Sequence, residues 1–317
     1  MTPSVTTTRR ATMAGLAAFA VTGSVTTATA ADEDEWVVEP TETDGTLHDV
    51  VSADAGRFAV GDGGVLTAPG PDGWVTLRDG GPSGNGNDLY GAAVTDDGER
   101  VWFVGASGAI GEYDPATETL IDRSAPMDNT NNYNAIAVTG PAGDADVFVA
   151  GDSGKIYYSF ANGEEGTWED VTPGSGSALP DIEMYDSRSG HAIDTNGRVF
   201  ATDDGITWEP IGIEDADVTF YGLDSDAADD VAVSGGNGTV LTYDGVDWTP
   251  DALGDAVLTD IDTDGDTGLV VGGGGVVQEL TPDRRVVRDT PTGENLTAVD
   301  RDEDAVVVGA GGTVLRR

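Results

Sequence analysis

From residue 36 onward the chain reads as short apolar runs broken by Gly, Asn and Asp. One unit recurs. It opens with two apolar positions three residues apart, as in Leu47–Val50, Leu258–Ile261 and Leu296–Val299. A polar turn follows, then a short run such as Phe58-Ala59-Val60 or Val306-Val307-Val308, and then a glycine-rich turn. A third run, such as Val240-Leu241-Thr242-Tyr243, leads through a second turn to a fourth that usually opens with Trp: Trp74, Trp168, Trp208 and Trp248, with Leu120 and Val286 at that place in two copies. Alternation in short runs bounded by turn formers predicts strands and hairpins. No stretch of the mature chain holds a helical period.

The glycine turn recurs seven times: Gly61–Gly64, Gly105–Gly108, Gly151–Gly154, Asp194–Gly197, Gly235–Gly238, Gly272–Gly275 and Gly309–Gly312. The last glycines of successive copies are 44, 46, 43, 41, 37 and 37 residues apart. Four strands in each ~40-residue repeat predict an all-β, seven-bladed β-propeller of four-stranded antiparallel blades. The two ends complement each other. The last copy stops at Thr313–Arg317 after its third strand, and the mature chain begins with an orphan Trp strand, Trp36–Pro40. Joining them completes the last blade and closes the ring without an open edge.

Composition then narrows the function. The 317 residues carry 15 Lys and Arg against 58 Asp and Glu, a formal charge of -43, with no cysteine. Disulfides, thiolate metal sites and thiol nucleophiles are excluded. A nucleic-acid partner is disfavoured because phosphate contacts need Lys and Arg. The acids run from Asp32 to Asp304 without forming a tail, and Lys155 is the single lysine. An even carboxylate surface repels itself unless salt screens it, which points to a salt-loving, haloarchaeal-type source.

Residues 1–30 read as an export signal. Arg9-Arg10 precede an apolar Met13–Val21, and Ala28-Thr29-Ala30 offers a cleavage site. The paired arginines and mild hydrophobicity are those of a twin-arginine signal, although Thr12-Met13 depart from the usual Phe-Leu. Residues 31–317 then form one secreted or surface-bound domain, a monomer with no transmembrane segment.

Ala201-Thr202-Asp203-Asp204-Gly205-Ile206-Thr207-Trp208 resembles the Asp-box S-x-D-x-G-x-T-W of bacterial neuraminidase repeats, with Ala201 for Ser. The whole repeat, best seen over Leu47–Trp74, is similar to propellers of the photosystem II stability and assembly factor type. That resemblance implies an exported, non-enzymatic propeller that helps assemble or stabilise other proteins. The sequence carries no sign of photosynthesis, and it has few arginines for a basic docking patch. A sialidase would need three convergent arginines and an early F/Y-R-I-P segment; the mature chain keeps 13 basic residues and lacks that segment.

Four further signals remain. His48 and His191 fall in different repeats, with no G-x-S-x-G elbow, and read as ordinary strand residues. Asp260, Asp262 and Asp264 match the opening of a calcium loop, but Val271 stands where the bidentate Glu belongs; a hairpin turn rich in Asp is the plainer reading. Asn129–Asn132 and Gly84–Asn87 read as solvated loops between repeats, and Asn237 and Asn295 head N-x-T sequons. Finally, the two residues inside each opening pair align as His48-Asp49, Tyr90-Gly91, Asn134-Ala135, Ile182-Glu183, Tyr221-Gly222, Thr259-Asp260 and Thr297-Ala298. If the first strand lines the axis, His48, Asp49, Tyr90, Asn134, Glu183, Tyr221 and Asp260 ring one channel mouth. The expected role is a binding scaffold for an exported or membrane protein. The alternative is a carbohydrate or surface-polymer binder, or less simply a glycan-active Asp-box enzyme.

Overall fold

The computed structural model describes residues 35–213, 216–282, 284–302 and 304–317. The export signal read at 1–30 lies outside them. The described residues form seven four-stranded antiparallel sheets. Six are consecutive in sequence. The seventh pairs Leu296–Asp300, Val306–Gly309 and Thr313–Arg316 with the N-terminal strand Val37–Val38. The ring closes as the complementary ends predict.

The inner strands are Leu47–Ala53, Leu89–Val94, Tyr133–Thr139, Asp181–Asp186, Phe220–Ala227, Leu258–Asp264 and Leu296–Asp300. Each packs against the next, and the last against the first, around the axis. We number blades one to seven in this order.

Why the second strand of most blades reads as a largely apolar run follows from the core. Seven buried clusters fill the seven gaps between neighbouring blades. Both faces of a blade are therefore buried, and alternate residues of one strand serve different gaps. In blade three Val147 and Val149 face blade two, whereas Phe148 and Ala150 face blade four. The outer-strand Trp residues plug the gap to the preceding blade: Trp168 toward blade two, Trp208 toward blade three, Trp74 toward blade seven and Trp36 toward blade six.

The Asp-box hairpin forms, with one correction. Asp204, not the motif position Asp203, caps the turn: its Oδ1 accepts the Ile206 and Thr207 amides at 2.8 and 2.6 Å. Asp114 and Asp244 cap the corresponding turns of blades two and five in the same way. Such Asx caps explain the residue type without a ligand.

Candidate functional site: the channel mouth

In six blades the ladder between the first two strands slips by one residue just after the first apolar anchor. A bulge leaves one residue unpaired and re-aims its neighbours. The bulged residues are His48, Tyr90, Asn134, Tyr221, Thr259 and Thr297. Blade four is the exception. Its anchor is Leu179, whose amide donates to the Gly151 carbonyl, and Pro180 occupies the bulge position. Proline fits there because an unpaired position needs no ladder N–H.

This register corrects the sequence alignment. The pair at the mouth of blade four is Pro180-Asp181, not Ile182-Glu183; Glu183 lies one layer deeper, opposite His191 in the ladder. Together the mouth and the layers below enclose a cavity of about 260 Å³ on the axis, lined by all seven of the sequence-predicted residues and by no Lys or Arg among the described residues.

The layer beneath the mouth reads Asp49, Gly91, Ala135, Asp181, Gly222, Asp260 and Ala298. Its carboxylates follow one rule. Asp49 accepts the Val50 amide and, from the next blade, the Ala92 amide, both at 2.7 Å. Asp181 accepts the Ile182 and Leu223 amides at 2.8 and 2.9 Å. Asp260 accepts the Ile261 amide and, at 2.8 Å, the Val299 amide. Each aspartate thus straps its blade to the following one. The following blade carries Gly91, Gly222 or Ala298 at the same level, and the ring leaves little more space there: a Cβ on Gly222 would sit 2.6 Å from Asp260 Cα.

One layer deeper the same stitch recurs with other donors. Asp224 accepts the Thr263 hydroxyl, Asp262 the Arg301 amide at 2.8 Å, and Asp300 the Ser52 hydroxyl at 2.9 Å. Thr259 and Thr297 at the mouth donate to the Leu296 and Leu47 carbonyls at 2.7 and 2.5 Å, and Asn134 to the Leu179 carbonyl at 3.1 Å.

These partners give the three aspartates of the calcium-loop candidate another setting, and the structure corrects the hairpin-turn reading set beside it. Asp260, Asp262 and Asp264 belong to an extended inner strand, and the hairpin turn comes after them, at Gly265-Asp266. Two of the three carboxylates face amides of blade seven. Among the described residues no three acidic or imidazole groups converge on a metal position. Asp224-Ser225-Asp226 is inner strand as well.

Burial pushes Asp49, Asp181 and Asp224 up to about 7, against the hydrogen bonds that favour the charged form, and Asp262 up to about 6. Glu183 and Asp260 are raised well above the carboxylate range by burial and then by neighbouring carboxylates. These groups face the channel from strands on every side and are partly buried.

A carboxyl held above its unfolded value, near 4, binds its proton more tightly in the folded state. The resulting stabilisation is complete below about pH 4 and is lost as pH rises through about 7. His191, pushed down to about 4 by burial, opposes this trend as it titrates. In ~2 M salt, where surface repulsion is screened, Tm is expected to fall by roughly 5–10 °C between pH 5 and pH 8. Asp181→Asn should flatten the slope. A Tm that rises across that window would remove the channel carboxylates as its source.

At the mouth itself, His48 Nε2 pairs with Asp62 at 2.8 Å and meets the Tyr90 ring edge-on at 5.2 Å. Burial acts against Asp62, yet the Thr46 amide and His48 hold its carboxyl below the usual range. Tyr221, across the channel, is 39 % exposed. Among the described residues the hydroxyls of Tyr90 and Tyr221 have no hydrogen-bond partner, so both rings present an unengaged polar tip. His191 is buried inside blade four, its Nδ1 2.7 Å from Ser225 Oγ, and takes no part in the mouth.

The structure titled "YCF48 bound to D1 peptide" superposes with a TM-score of 0.73 at 14 % identity, over 92 % of this chain and 99 % of that one. YCF48 from Cyanidioschyzon merolae gives 0.69 at 15 % identity, over 89 % and 98 %. The WD40 β-propeller domain of Doa1 gives 0.69 at 13 % identity, over 88 % and 94 %. The chain is a seven-bladed β-propeller. At these identities the likeness is one of fold, shared by the YCF48 propellers and a WD40 domain alike. No family model and no curated protein matches the sequence.

Proposed function

We propose that the protein is a non-catalytic, exported propeller that binds another exported or membrane protein at its channel mouth, in a salt-rich medium. The observation that carries this reading is the division of labour in the channel. Its carboxylates are bonded to backbone and hydroxyl donors of the next blade and act as struts. Tyr90 and Tyr221, in contrast, stand at the mouth with hydroxyls that no described residue engages, Tyr90 being held edge-on by His48. Rigid aromatic side chains ordered in advance lose little entropy on binding, which suits a docking surface. A sialidase-type site needs an arginine cluster, and no arginine lines this cavity. Arg301, the cation closest in sequence to the inner strands, is engaged by Asp262.

The structural likeness to a YCF48 bound to a D1 peptide supports a peptide-binding propeller. Export rests on residues 1–30, and salt adaptation on the charge of -43. The test is crosslinking and co-purification of the tagged mature protein from its own culture in ~2 M salt, where the Debye length is below ~3 Å and the acidic bait is screened. The expected result is a stoichiometric protein partner whose recovery drops at least tenfold in Tyr90→Ala/Tyr221→Ala, with Tm unchanged. Recovery of the bait alone would exclude a stable complex; recovery of a glycan in place of a protein would move the mouth to the polymer-binding reading, for which paired aromatics beside carboxylates are also suited.

A further inference from the structure

A second cavity, of about 560 Å³, lies at the outer rim between blades two and three, against about 260 Å³ at the channel mouth. Its walls are the segment Asp122–Asp128, which leaves the outer strand of blade two, and the hairpin Gly163–Trp168 of blade three. Three features mark it out.

The first is the backbone. Seven non-glycine residues among those described have left-handed φ, and three of them line this cleft: Ala125 at 55°, Met127 at 57° and Asp128 at 59°; a fourth, Asn162 at 53°, immediately precedes Gly163 of its wall. L-residues adopt that region at a steric penalty, and such outliers persist where the surroundings hold them. Ser107 and Asn237, in contrast, occupy a place in the glycine turn that other repeats give to glycine.

The second is an apolar wall kept open. The left-handed kink turns Met127 outward, 56 % exposed, while Pro126 and Trp168 beside it are buried. Trp168 is anchored in this position by its Nε1, which donates to the Gly163 carbonyl at 3.1 Å. A Cβ on Gly163 would lie 3.1 Å from Trp102 and 3.2 Å from Trp168, so the floor is packed tight.

The third is charge. Asp122, Asp128 and Glu165 border the opening, and the single cation of the lining, Arg123, is turned onto buried Glu112 through Nε at 3.2 Å and Nη2 at 2.8 Å. That leaves an apolar slot rimmed by carboxylates whose own arginine is already paired.

We propose that this cleft docks an extended segment of another protein, with an aliphatic side chain entering between Met127 and Trp168 and cationic residues on either side of it meeting Asp122, Asp128 and Glu165. The site is separate from the channel mouth, and either can fail without the other.

The probe is an arginine–leucine–arginine tripeptide, acetylated and amidated, with a diazirine-bearing leucine analogue, photolysed with the full mature protein in ~2 M salt to suppress unspecific attraction to its acidic surface. Crosslinks mapped by mass spectrometry are expected within 122–128 and 163–168. Their yield should fall at least tenfold in Met127→Lys and in Asp128→Lys/Glu165→Lys, and stay unchanged in Tyr90→Ala/Tyr221→Ala. Leucine peptide without the diazirine should compete; arginine–glycine–arginine should not. Since Met127 is exposed, an unchanged Tm verifies that the variant is folded. Crosslinks at the channel mouth or scattered over the surface, equal competition by the glycine peptide, or no saturable labelling would each overturn the proposal, and the first of these would leave the channel-mouth reading standing.

Discussion

Trp36→Ala should lower the unfolding free energy by about 3–5 kcal/mol, the range for removing a buried aromatic from a packed core. Trp36 is 2 % exposed and sits between Leu269, Val271 and Val277 of blade six and Leu296, Val307 and Leu315 of blade seven. It also anchors the segment that closes the ring. Beyond it the Glu39 amide donates to the Val314 carbonyl at 2.9 Å, and the Trp74 amide to the Pro40 carbonyl at 2.7 Å. The Gly312 amide donates to the Gly45 carbonyl at 2.7 Å. Glu39 receives both Arg316 and the Trp74 indole N–H, each at 2.7 Å. One short stretch therefore joins blade seven to blade one, and loosening it exposes the edge of Thr313–Arg316. Val37→Ala, at a site 50 % exposed, should stay within ~0.5 kcal/mol and serves as the control. Urea titration in ~2 M salt compares them. Equal midpoints for the two variants would show that the terminal strand is not what holds the ring shut.

The glycine turns supply the second large effect. Gly63 and Gly64 are adjacent and both left-handed, with φ of 71° and 75°, but only the second is enclosed. A Cβ on Gly63 would meet nothing within 4 Å, whereas one on Gly64 would lie 2.2 Å from the Gly81 amide nitrogen. Gly63→Ala pays the left-handed penalty alone, about 1–2 kcal/mol. Gly64→Ala adds displacement of a neighbouring backbone that donates to the Gly64 carbonyl at 3.0 Å, for a total of roughly 3–5 kcal/mol. The same close approach recurs at Gly154, Gly238, Gly275 and Gly312, which is why the last glycine of the turn is kept through the seven repeats when the third position becomes Ser107 or Asn237. Denaturation of the two alanine variants side by side checks the difference; a Gly63→Ala as damaging as Gly64→Ala would place the whole effect in backbone conformation.

The channel shows where local pattern misleads. Six of the seven pairs at the mouth could be aligned from sequence, because a bulge follows an L-x-x-V anchor. Blade four was misplaced by two residues for two reasons. Its turn opens with Asp194 in place of glycine, and its anchor Leu179 is followed by Pro180, which does not look like strand. The pattern itself is intact as Leu179–Ile182, and counting back from the turn to the apolar anchor would have found it. Asp181, which straps blade four to blade five, was missed for that reason. Asp224 and Asp300 were missed for another: Asp in short polar runs reads as turn, and nothing in sequence distance reports that the Thr263 and Ser52 hydroxyls of adjacent blades wait opposite them.

What the sequence determined by itself is the repeat, the strand count, the seven blades and the closing of the ring by the N-terminal strand. All of these follow from periodicity and from complementary ends, which are properties of neighbours along the chain. What only the tertiary structure decided is the use of each polar residue. Whether an inner-strand aspartate is a metal ligand, a turn former or a strut depends on the amide it meets across a gap, and that amide lies 39 to 43 residues away, as for Asp260 with Val299 and Asp49 with Ala92. Strand formation is a short-range preference, whereas the pairing of a carboxylate is fixed by the packing of one blade on the next.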